Sequence, residues 1–315
     1  MKNNIKLSIF YLFSIVFILF FIDSFLAFTV KKCETGNLGK VNKIFNNTAK
    51  PQIAIFGPSV GLNGFNSLQI QNQTHKTVYN FCLEGTLFTQ YEGLINELNE
   101  RSKTTEIVVL SEFIYTFEPR KEIVEMENYL PYLSNNNVYN SLYAVNPEVA
   151  YKCRYIPFYR LITATYHYYN SSARGIKKML FKSKQTNDTL MGFFPVNKKW
   201  NKYEDEFLAT TTHLDIPIDS NIVNEYTKCV SALRQKGRKV IITITPIYIP
   251  KGQTAVDLAP LRNTFKAIAQ KTNSTFWDFS ESMVDKKYFH SINHLNAYGA
   301  SVFSKLFADS LNKSN

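Results

Sequence analysis

Short apolar runs, each ended by a turn or a polar segment, recur along the chain after residue 50. The runs with strand character are Gln52–Phe56, Thr77–Phe81, Glu106–Leu110, Lys239–Thr245 (KVIITIT) and Thr275–Asp278. Uninterrupted apolar runs of this length are typical of parallel strands that are buried on both faces of a sheet. The pattern therefore predicts a mostly parallel sheet rather than antiparallel hairpins.

Segments with helical spacing of apolar positions lie between and after these runs. They are Leu87–Leu98, Asn221–Gln235, Leu258–Gln270 and Ala300–Leu311. Strands that alternate with helices predict an α/β fold. We expect a three-layer sandwich with a flavodoxin-like sheet, formed by one domain over residues 51–315.

The alternation stops between about residues 113 and 219. This stretch is dense in Tyr and Phe, as in YKCRYIPFYRLITATYHYY, and carries scattered Lys and Arg. We interpret it as a largely helical insertion between the third and fourth strands. Its aromatic and basic side chains are suited to contact sugars, because aromatic faces stack on sugar rings.

The N-terminus differs from the rest of the chain. Leu7–Val30 is almost continuously apolar, and Lys2 and Lys6 precede it. About 20 apolar residues suffice to span a bilayer, and basic residues favour the cytoplasmic side. We interpret residues 1–31 as an uncleaved membrane anchor rather than a cleaved signal peptide, because a signal peptide has a shorter apolar core and a cleavage site with small residues. Residues 32–50 would be a linker to a domain outside the cytoplasm, in the periplasm or at the cell surface.

Composition narrows the classes of function. The 315 residues carry a formal net charge of +11, with 45% hydrophobic residues, which excludes intrinsic disorder. The basic residues form no block and no nucleic-acid reader motif is present, so the charge fits the surface of an anchored protein near anionic lipid or polysaccharide. No nucleotide-binding motif or metal-ligand spacing occurs, so the sequence predicts no cofactor and no metal. Four Cys in this length do not form a disulfide scaffold.

A candidate nucleophile follows the first predicted strand. Gly57–Gly61 (GPSVG) places Ser59 on a tight turn between a strand and a helix, where its hydroxyl would point out at the carboxyl end of the sheet. The segment fits G-x-S-x-G, which positions the nucleophile in α/β-hydrolases. The alternative is that Ser59 only caps an ordinary helix.

A candidate base stands near the other end of the chain. His294 lies just before the last predicted helix, in the segment YFHSINHLNAYGA. In an α/β sandwich such a His can reach across the carboxyl ends of the strands to a Ser after the first strand. A Ser nucleophile needs a base of this kind within hydrogen-bond reach.

Three segments, IFGPSVGLNGF, VYNFCLEGT and YFHSINHLNAYGASVFSKLF, resemble the first, second and last blocks of the SGNH (GDSL-like) hydrolase superfamily. The similarity covers residues 52–110 and 239–311 and is nearest to membrane-anchored members that act on polysaccharide acylation in the cell envelope. The resemblance implies that Ser59 is the nucleophile, that His294 is the general base, and that the backbone N–H groups of Ser59 and Gly85 form the oxyanion hole.

The chain departs from the family pattern at two positions. The family usually has Asp three residues before the His, where this chain has Ser291, and an Asn after the third strand, where it has none. Loss of the Asp costs about 10⁴ in kcat in a serine protease, and loss of one oxyanion donor costs about 10² to 10³. Ser291 or a backbone carbonyl would have to orient the imidazole, or else Asp278 or Asp285.

The sequence therefore predicts an esterase or O-acyltransferase that acts on acylated cell-envelope glycans with an incomplete triad. The alternative is an anchored protein that keeps the fold but only binds or organises envelope components. Nucleic-acid binding is suggested only by the net charge. Two weaker candidates are a polar pair of His213 with Asp215 and a carboxylate pair of Glu112 with Glu118.

Overall fold

The structure is a computed structural model that describes residues 2–156, 158–181, 188–210, 214–248 and 257–314. Its centre is a five-stranded parallel sheet in the order β2-β1-β3-β4-β5. The strands are β1 Ile53–Phe56, β2 Val78–Asn80, β3 Ile107–Glu112, β4 Lys239–Ile244 and β5 Thr275–Asp278. This is the flavodoxin-like strand order, so the predicted fold class is confirmed. A small antiparallel pair, β6 Phe289–Ser291 and β7 His294–Leu295, precedes the last helix.

Helices surround the sheet and fill the segments between the strands. They are α1 Lys2–Val30, α2 Gly36–Phe45, α3 Ser59–Gly64, α4 Ser67–Thr74, α5 Phe88–Arg101, α6 Asn136–Val145, α7 Pro147–Tyr155, α8 Tyr159–Thr163, α9 Tyr166–Phe181, α10 Lys202–Thr210, α11 Ser220–Gln235, α12 Ala259–Thr272 and α13 Ala297–Lys313. Three single-turn 3₁₀ helices cover Met126–Asn128, Leu130–Tyr132 and Lys286–Tyr288.

Two hydrophobic cores lie on opposite faces of the sheet. One contains residues of α2, α5, α6, α11 and α12 together with Val108, Leu110 and Ile242 of the strands. The other contains residues of α3, α4 and α13 together with Val109 and Ile241. Alternate residues of one strand enter opposite cores because successive side chains point to opposite faces. This arrangement accounts for the uninterrupted apolar runs in the sequence.

Helix α1 is long and apolar enough to cross a membrane over Asn4–Val30, with a mean hydropathy of 2.5 in an 18-residue window. The segment after it is more than a linker. Residues 36–45 form α2, whose Leu38, Val41 and Ile44 are buried in the first core. Their spacing of three residues places them on one face of the helix, although the segment is otherwise rich in Gly, Asn and Lys.

Between β3 and α11 the chain forms α6 to α10 and two of the 3₁₀ helices. This is the segment that we interpreted as a helical insertion. Part of it is not helical: residues 188–197 form turns and irregular chain, with contacts that run from the end of β2 past α3 to the start of α13. We call residues 188–197 the strap.

Candidate active site

Backbone geometry fixes the turn that carries Ser59. Gly57 has φ +153°, and a Cβ atom there would lie 2.3 Å from the carbonyl oxygen of Ser111. Gly61 is equally confined, because a Cβ atom there would lie 2.6 Å from both Cys82 Sγ and Ser111 Oγ. The two glycines let α3 begin at Ser59, directly against the ends of β1 and β3. The side chain of Ser59 stays partly exposed on this turn.

The structure brings Ser59 and His294 together. The distance between Ser59 Oγ and His294 Nε2 is 2.8 Å. This contact joins residues that are 235 positions apart in the chain. His294 reaches the serine because β7 lies over α3 and α13 begins directly after β7, at Ala297.

The other ring nitrogen of His294 contacts Ser291. The distance between Ser291 Oγ and His294 Nδ1 is 2.8 Å, and Ser291 Oγ lies 3.4 Å from Asn293 Oδ1. If Nε2 accepts the Ser59 hydroxyl hydrogen, Nδ1–H donates to Ser291 Oγ, which can in turn donate to Asn293. The side chains thus form the chain Ser59–His294–Ser291–Asn293.

Neither aspartate that we considered for orienting the imidazole does so in the structure. Asp278 accepts hydrogen bonds from Arg262 and from the backbone N–H of Ser280. Asp285 caps a 3₁₀ turn by accepting from the N–H of Lys287. Asp278 is held by a guanidinium group on α12, so the prediction that it orients His294 is replaced by the contact with Ser291.

The electrostatic environment keeps the imidazole neutral. Burial of the ring and the neighbouring His290 lower the pKa of His294 to about 4. The two rings are stacked with centroids 5.4 Å apart. Because a histidine with this pKa is neutral at pH 7, only one of its ring nitrogens carries a proton, and Nε2 is available to accept one.

The loop that contains Gly85 is bound to the serine turn. The N–H of Leu83 donates to the carbonyl of Gly57 over 3.0 Å, and the N–H of Phe81 donates to Ile55 over 2.7 Å. Gly85 has φ +68°, which a side chain would strain, and a Cβ atom there would lie 2.8 Å from Val124. These contacts hold the second sequence block beside the first.

Two residues that we did not predict stabilise this arrangement. Asn80, at the end of β2, donates to the carbonyl of Gly61 and accepts from the N–H of Cys82. Lys40 of α2 is buried and donates to the carbonyl of Cys82 over 2.9 Å. Burial lowers the pKa of Lys40 to about 8. An Asn at a strand end was a visible signal, whereas nothing in the sequence around Lys40 predicts its burial.

The strap forms one wall of the site and is attached mainly through backbone groups. Phe194 N–H donates to the carbonyl of Leu62, and its own carbonyl accepts from Asn63 Nδ2. The carbonyl of Val196 accepts from the N–H of Ala297. The strap thus joins α3, which carries the serine, to the start of α13, which follows the histidine.

Two cavities lie near the hairpin of β6 and β7, and neither is lined by Ser59 or His294 themselves. One, of about 320 Å³, is lined by Ile114, Tyr115, Glu204, Phe207, Leu214, Ser291, Ile292 and Asn293. The other, of about 470 Å³, is lined by Val196, Asn197, Lys198, Lys199, Trp200, Lys286, Lys287, Asn296, Ala297 and Tyr298. The first cavity is mostly apolar and contains part of the chain that contacts His294. The second is cationic and aromatic.

The remaining candidates are not brought to this site. Glu112 is fully buried on the opposite face of the sheet, whereas Glu118 pairs with Arg120, so they do not form a carboxylate pair. His213 lies outside the described residues. Within the described ranges no group of three or more His, Cys, Asp or Glu could hold a metal ion, and all four cysteines are buried free thiols.

Comparison with known proteins gives distant similarities only. No family model and no curated protein matches the chain. Among solved structures, a protein assigned as an acylhydrolase from Bacteroides fragilis has 13% identity and a TM-score of 0.40, with 86% of this chain and 95% of that chain covered. A protein assigned as a platelet activating factor from Streptococcus pneumonia has 11% identity and a TM-score of 0.42, with coverage of 90% and 94%. A carbohydrate acetylesterase from Sinorhizobium meliloti has 8% identity and a TM-score of 0.37, with coverage of 84% and 99%. Identities and TM-scores this low do not indicate the function of this chain.

Proposed function

We propose that the protein is a serine esterase or O-acyltransferase of SGNH type that acts on acylated glycans of the cell envelope. The observation that carries the proposal is the 2.8 Å contact between Ser59 Oγ and His294 Nε2, in a site where the imidazole is neutral. A serine hydroxyl beside an unprotonated imidazole at the carboxyl edge of an α/β sheet has the composition of an acyl-transfer site.

The reaction would proceed in two steps. Ser59 Oγ attacks the acyl carbonyl carbon while His294 Nε2 takes the hydroxyl proton, and the ester oxygen leaves with that proton. Water, or a sugar hydroxyl in a transferase, then attacks the acyl-enzyme, and His294 again moves the proton. Release of the free acid or of the acylated sugar regenerates Ser59.

The oxyanion would be bound by the backbone N–H groups of Ser59 and Gly85. Within the described part of the chain, neither group donates a hydrogen bond to another residue. Ser59 is the first residue of α3, where N–H groups have no partner inside the helix. Two unpaired donors on loops that are bound to each other are suited to stabilise a developing negative charge.

Ser291 in the place of the family Asp lowers the expected rate. A neutral hydroxyl can fix the tautomer of His294, but it does not stabilise the imidazolium as a carboxylate does. This departure is the specific observation that favours the second candidate function, a protein that keeps the fold and only binds envelope components. The two candidates differ in whether Ser59 reacts.

The cavities support a carbohydrate ester as the substrate. The apolar cavity beside Ser291 has room for a short acyl group or one sugar ring. The larger cavity presents Trp200 and Tyr298 together with four lysines, which suits an acidic or neutral glycan. We also propose that α1 anchors the protein in the membrane, with the domain outside the cytoplasm.

The test uses the full-length protein in detergent, with a fluorophosphonate probe and p-nitrophenyl acetate. We expect probe labelling to be abolished in Ser59→Ala, and hydrolysis to be strongly reduced in both Ser59→Ala and His294→Gln. In an enzyme with a complete triad, removal of the serine lowers kcat by about 10⁶-fold, and about 10⁴ of that factor depends on the Asp. Because this chain lacks that Asp, we expect a loss in kcat/KM of about 10²-fold.

The matched control is Ser310→Ala, since Ser310 lies near the far end of α13 and its hydroxyl bonds only to the carbonyl of Leu306. This variant should behave like the wild type. A wild-type protein that is neither labelled nor active, although folded, would favour the binding role. Product analysis with an acylated glycan and an acceptor sugar then separates hydrolysis from transfer.

A further inference from the structure

A buried ion pair joins the end of α1 to the insertion. Arg160 of α8 donates from Nε to both carboxylate oxygens of Asp23 over 2.7 Å, and its Nη2 lies 2.6 Å from Oδ2. Asp23 is only 3% exposed. A bidentate pair of this kind has a defined geometry, so α8 lies at the level of Asp23 along α1.

Helix α9 packs along the last turns of α1 and runs in the same direction. Ser172 Oγ lies 2.7 Å from Thr29 Oγ1. A Cβ atom at Gly175 would lie 1.9 Å from the carbonyl of Thr29, so the two backbones touch. Further along α9, Lys178 pairs with Glu34. The first residues of α9 therefore lie on the Asp23 side of Thr29.

Exposure along α1 shows how much of the helix the rest of the protein leaves uncovered. Residues 4–22 are almost entirely exposed and apolar, whereas Asp23, Ala27, Thr29 and Val30 are buried against the insertion. At about 1.5 Å per residue, the uncovered part is about 28 Å long. This matches the hydrocarbon thickness of a bilayer, about 30 Å, and would place Asp23 and Arg160 at the membrane boundary.

Large side chains are exposed at that level. Ile162 of α8 is 76% exposed and Tyr166 of α9 is 74% exposed. Ile156 and Tyr169 are also exposed, at 42% each, and Tyr169 donates from its hydroxyl to the carbonyl of Leu161. We call these four residues the interfacial collar. Tyrosines are enriched at membrane–water interfaces, where the ring contacts acyl chains and the hydroxyl stays hydrated.

We propose that the interfacial collar binds the lipid bilayer in which α1 is anchored, so that the insertion rests on the membrane surface beside α1. The partner is the headgroup and upper acyl region of that bilayer rather than a protein. Its position follows from continuity with α1: a helix that spans the membrane up to Asp23 brings the bilayer surface to the residues that Arg160 holds beside it.

The contact also orients the candidate active site. Helix α2 starts near Glu125, in the segment after β3, because Asn37 donates a hydrogen bond to the Glu125 carboxylate. The end of α2 leads to the start of β1. Helix α2 thus runs from the carboxyl ends of the strands to their amino ends, so the end of α1 lies at the same edge of the sheet as Ser59. The collar would hold that edge towards the membrane.

The test places a fluorescent reporter on the collar of the full-length protein. Ile162→Cys and Tyr166→Cys would be labelled with an environment-sensitive dye, since the four native cysteines are buried. The protein is reconstituted in vesicles of phosphatidylethanolamine and phosphatidylglycerol with and without nitroxide lipids. We expect blue-shifted emission and at least twofold quenching by lipids that carry the nitroxide just below the headgroup.

The matched control is Lys103→Cys, since Lys103 is exposed in the loop before β3 and thus lies at the amino ends of the strands, at the opposite edge of the sheet from the collar. This position should emit as in water and be unaffected by nitroxide lipids. Equal behaviour at the three positions would overturn the proposal, as would protection at the collar in native membranes but not in pure lipid, which would identify a protein partner. The intact mass of the protein verifies that α1 is retained. The readout requires no catalysis, so it is independent of the proposed enzymatic function.

Discussion

Two polar clusters lie at the carboxyl ends of the strands, one on each face of the sheet, and they differ in their access to solvent. Ser59 and His294 are partly exposed. Glu112, the last residue of β3, is fully buried and accepts hydrogen bonds from Tyr91, Tyr226 and Thr116. Burial lowers the pKa of the imidazole to about 4 and raises that of the carboxyl to about 8. The same physical cause therefore keeps both groups neutral at pH 7.

Both groups have a shifted pKa, so a shifted pKa alone does not identify a catalytic group. A reacting group must also be reachable by substrate and must have a partner that reacts with it. His294 is partly exposed and contacts Ser59, whereas Glu112 is enclosed by three hydroxyl groups. We therefore assign the cluster around Glu112 to the stability of the fold, and the pair of Ser59 and His294 to the candidate active site.

The largest expected effect is the loss of the buried cluster. Glu112→Ala leaves the hydroxyls of Tyr91 and Tyr226 without their acceptor and creates a cavity. Each unsatisfied buried group costs about 1 to 3 kcal/mol, so the free energy of unfolding should fall by about 3 kcal/mol. Urea denaturation measures this change. Glu112→Gln is the matched control and should lose less, and a catalytic role for Glu112 would instead appear as lost activity in a fully stable Gln variant.

The pH dependence of stability provides a second test of the buried cluster. The pKa of Glu112 is about 8 in the folded protein, above the value of about 4.5 expected in the unfolded chain. The folded state therefore binds the proton more tightly, and its stability should decrease as pH rises through this range, on the order of 3 kcal/mol between pH 5 and pH 8. Glu112→Gln should flatten that decrease. An equal decrease in both proteins would assign it to another group.

The sequence predicted one of these clusters and not the other, and the reasons are physical. Ser59 and His294 follow from topology, because parallel strands bring the residues at their carboxyl ends together however far apart they are in the chain. The three hydroxyl partners of Glu112 come from α5, α11 and the loop after β3, and no spacing rule links them. For that reason the sequence indicated Glu112 only as a weak candidate for a carboxylate pair with Glu118.

Other parts of the structure were equally hard to predict. The five strands were visible because buried parallel strands are continuously apolar. Helix α2 was not predicted because Gly, Asn and Lys dominate its sequence, and only packing shows that Leu38 and Ile44 are core residues. The strap is attached mainly through backbone hydrogen bonds. These do not depend on residue type, so the sequence does not predict them. Asp278 was a candidate to orient His294 because it is near in sequence, but its carboxylate forms an ion pair with Arg262.

A smaller effect is expected from the group that orients the imidazole. Ser291→Ala removes the hydrogen-bond partner of His294 Nδ1, which contributes about 1 kcal/mol and should lower kcat/KM about fivefold to tenfold. Ser291→Asp introduces a carboxylate beside Nδ1, as in a complete Ser-His-Asp triad, so kcat/KM should increase about tenfold or more and the pKa of His294 should rise. Esterase assays over a pH series measure both. An unchanged rate in both variants would show that Ser291 does not orient the base.

The smallest expected effect concerns the pH at which the base is lost. His294 acts only when unprotonated, so kcat/KM should rise with pH through about 4, the pKa of His294, rather than through 6.5, and stay level at neutral pH. The charge of a protonated His290 contributes to the low pKa of His294, so His290→Gln should move the acid limb upwards by a few tenths of a pH unit. Within the described residues His290 Nε2 has no hydrogen-bond partner, so this substitution breaks no bond at that atom. If kcat/KM of the wild type rose through pH 6.5 instead, the imidazole would be hydrated in solution. Burial would then shift the pKa of Glu112 but not that of His294.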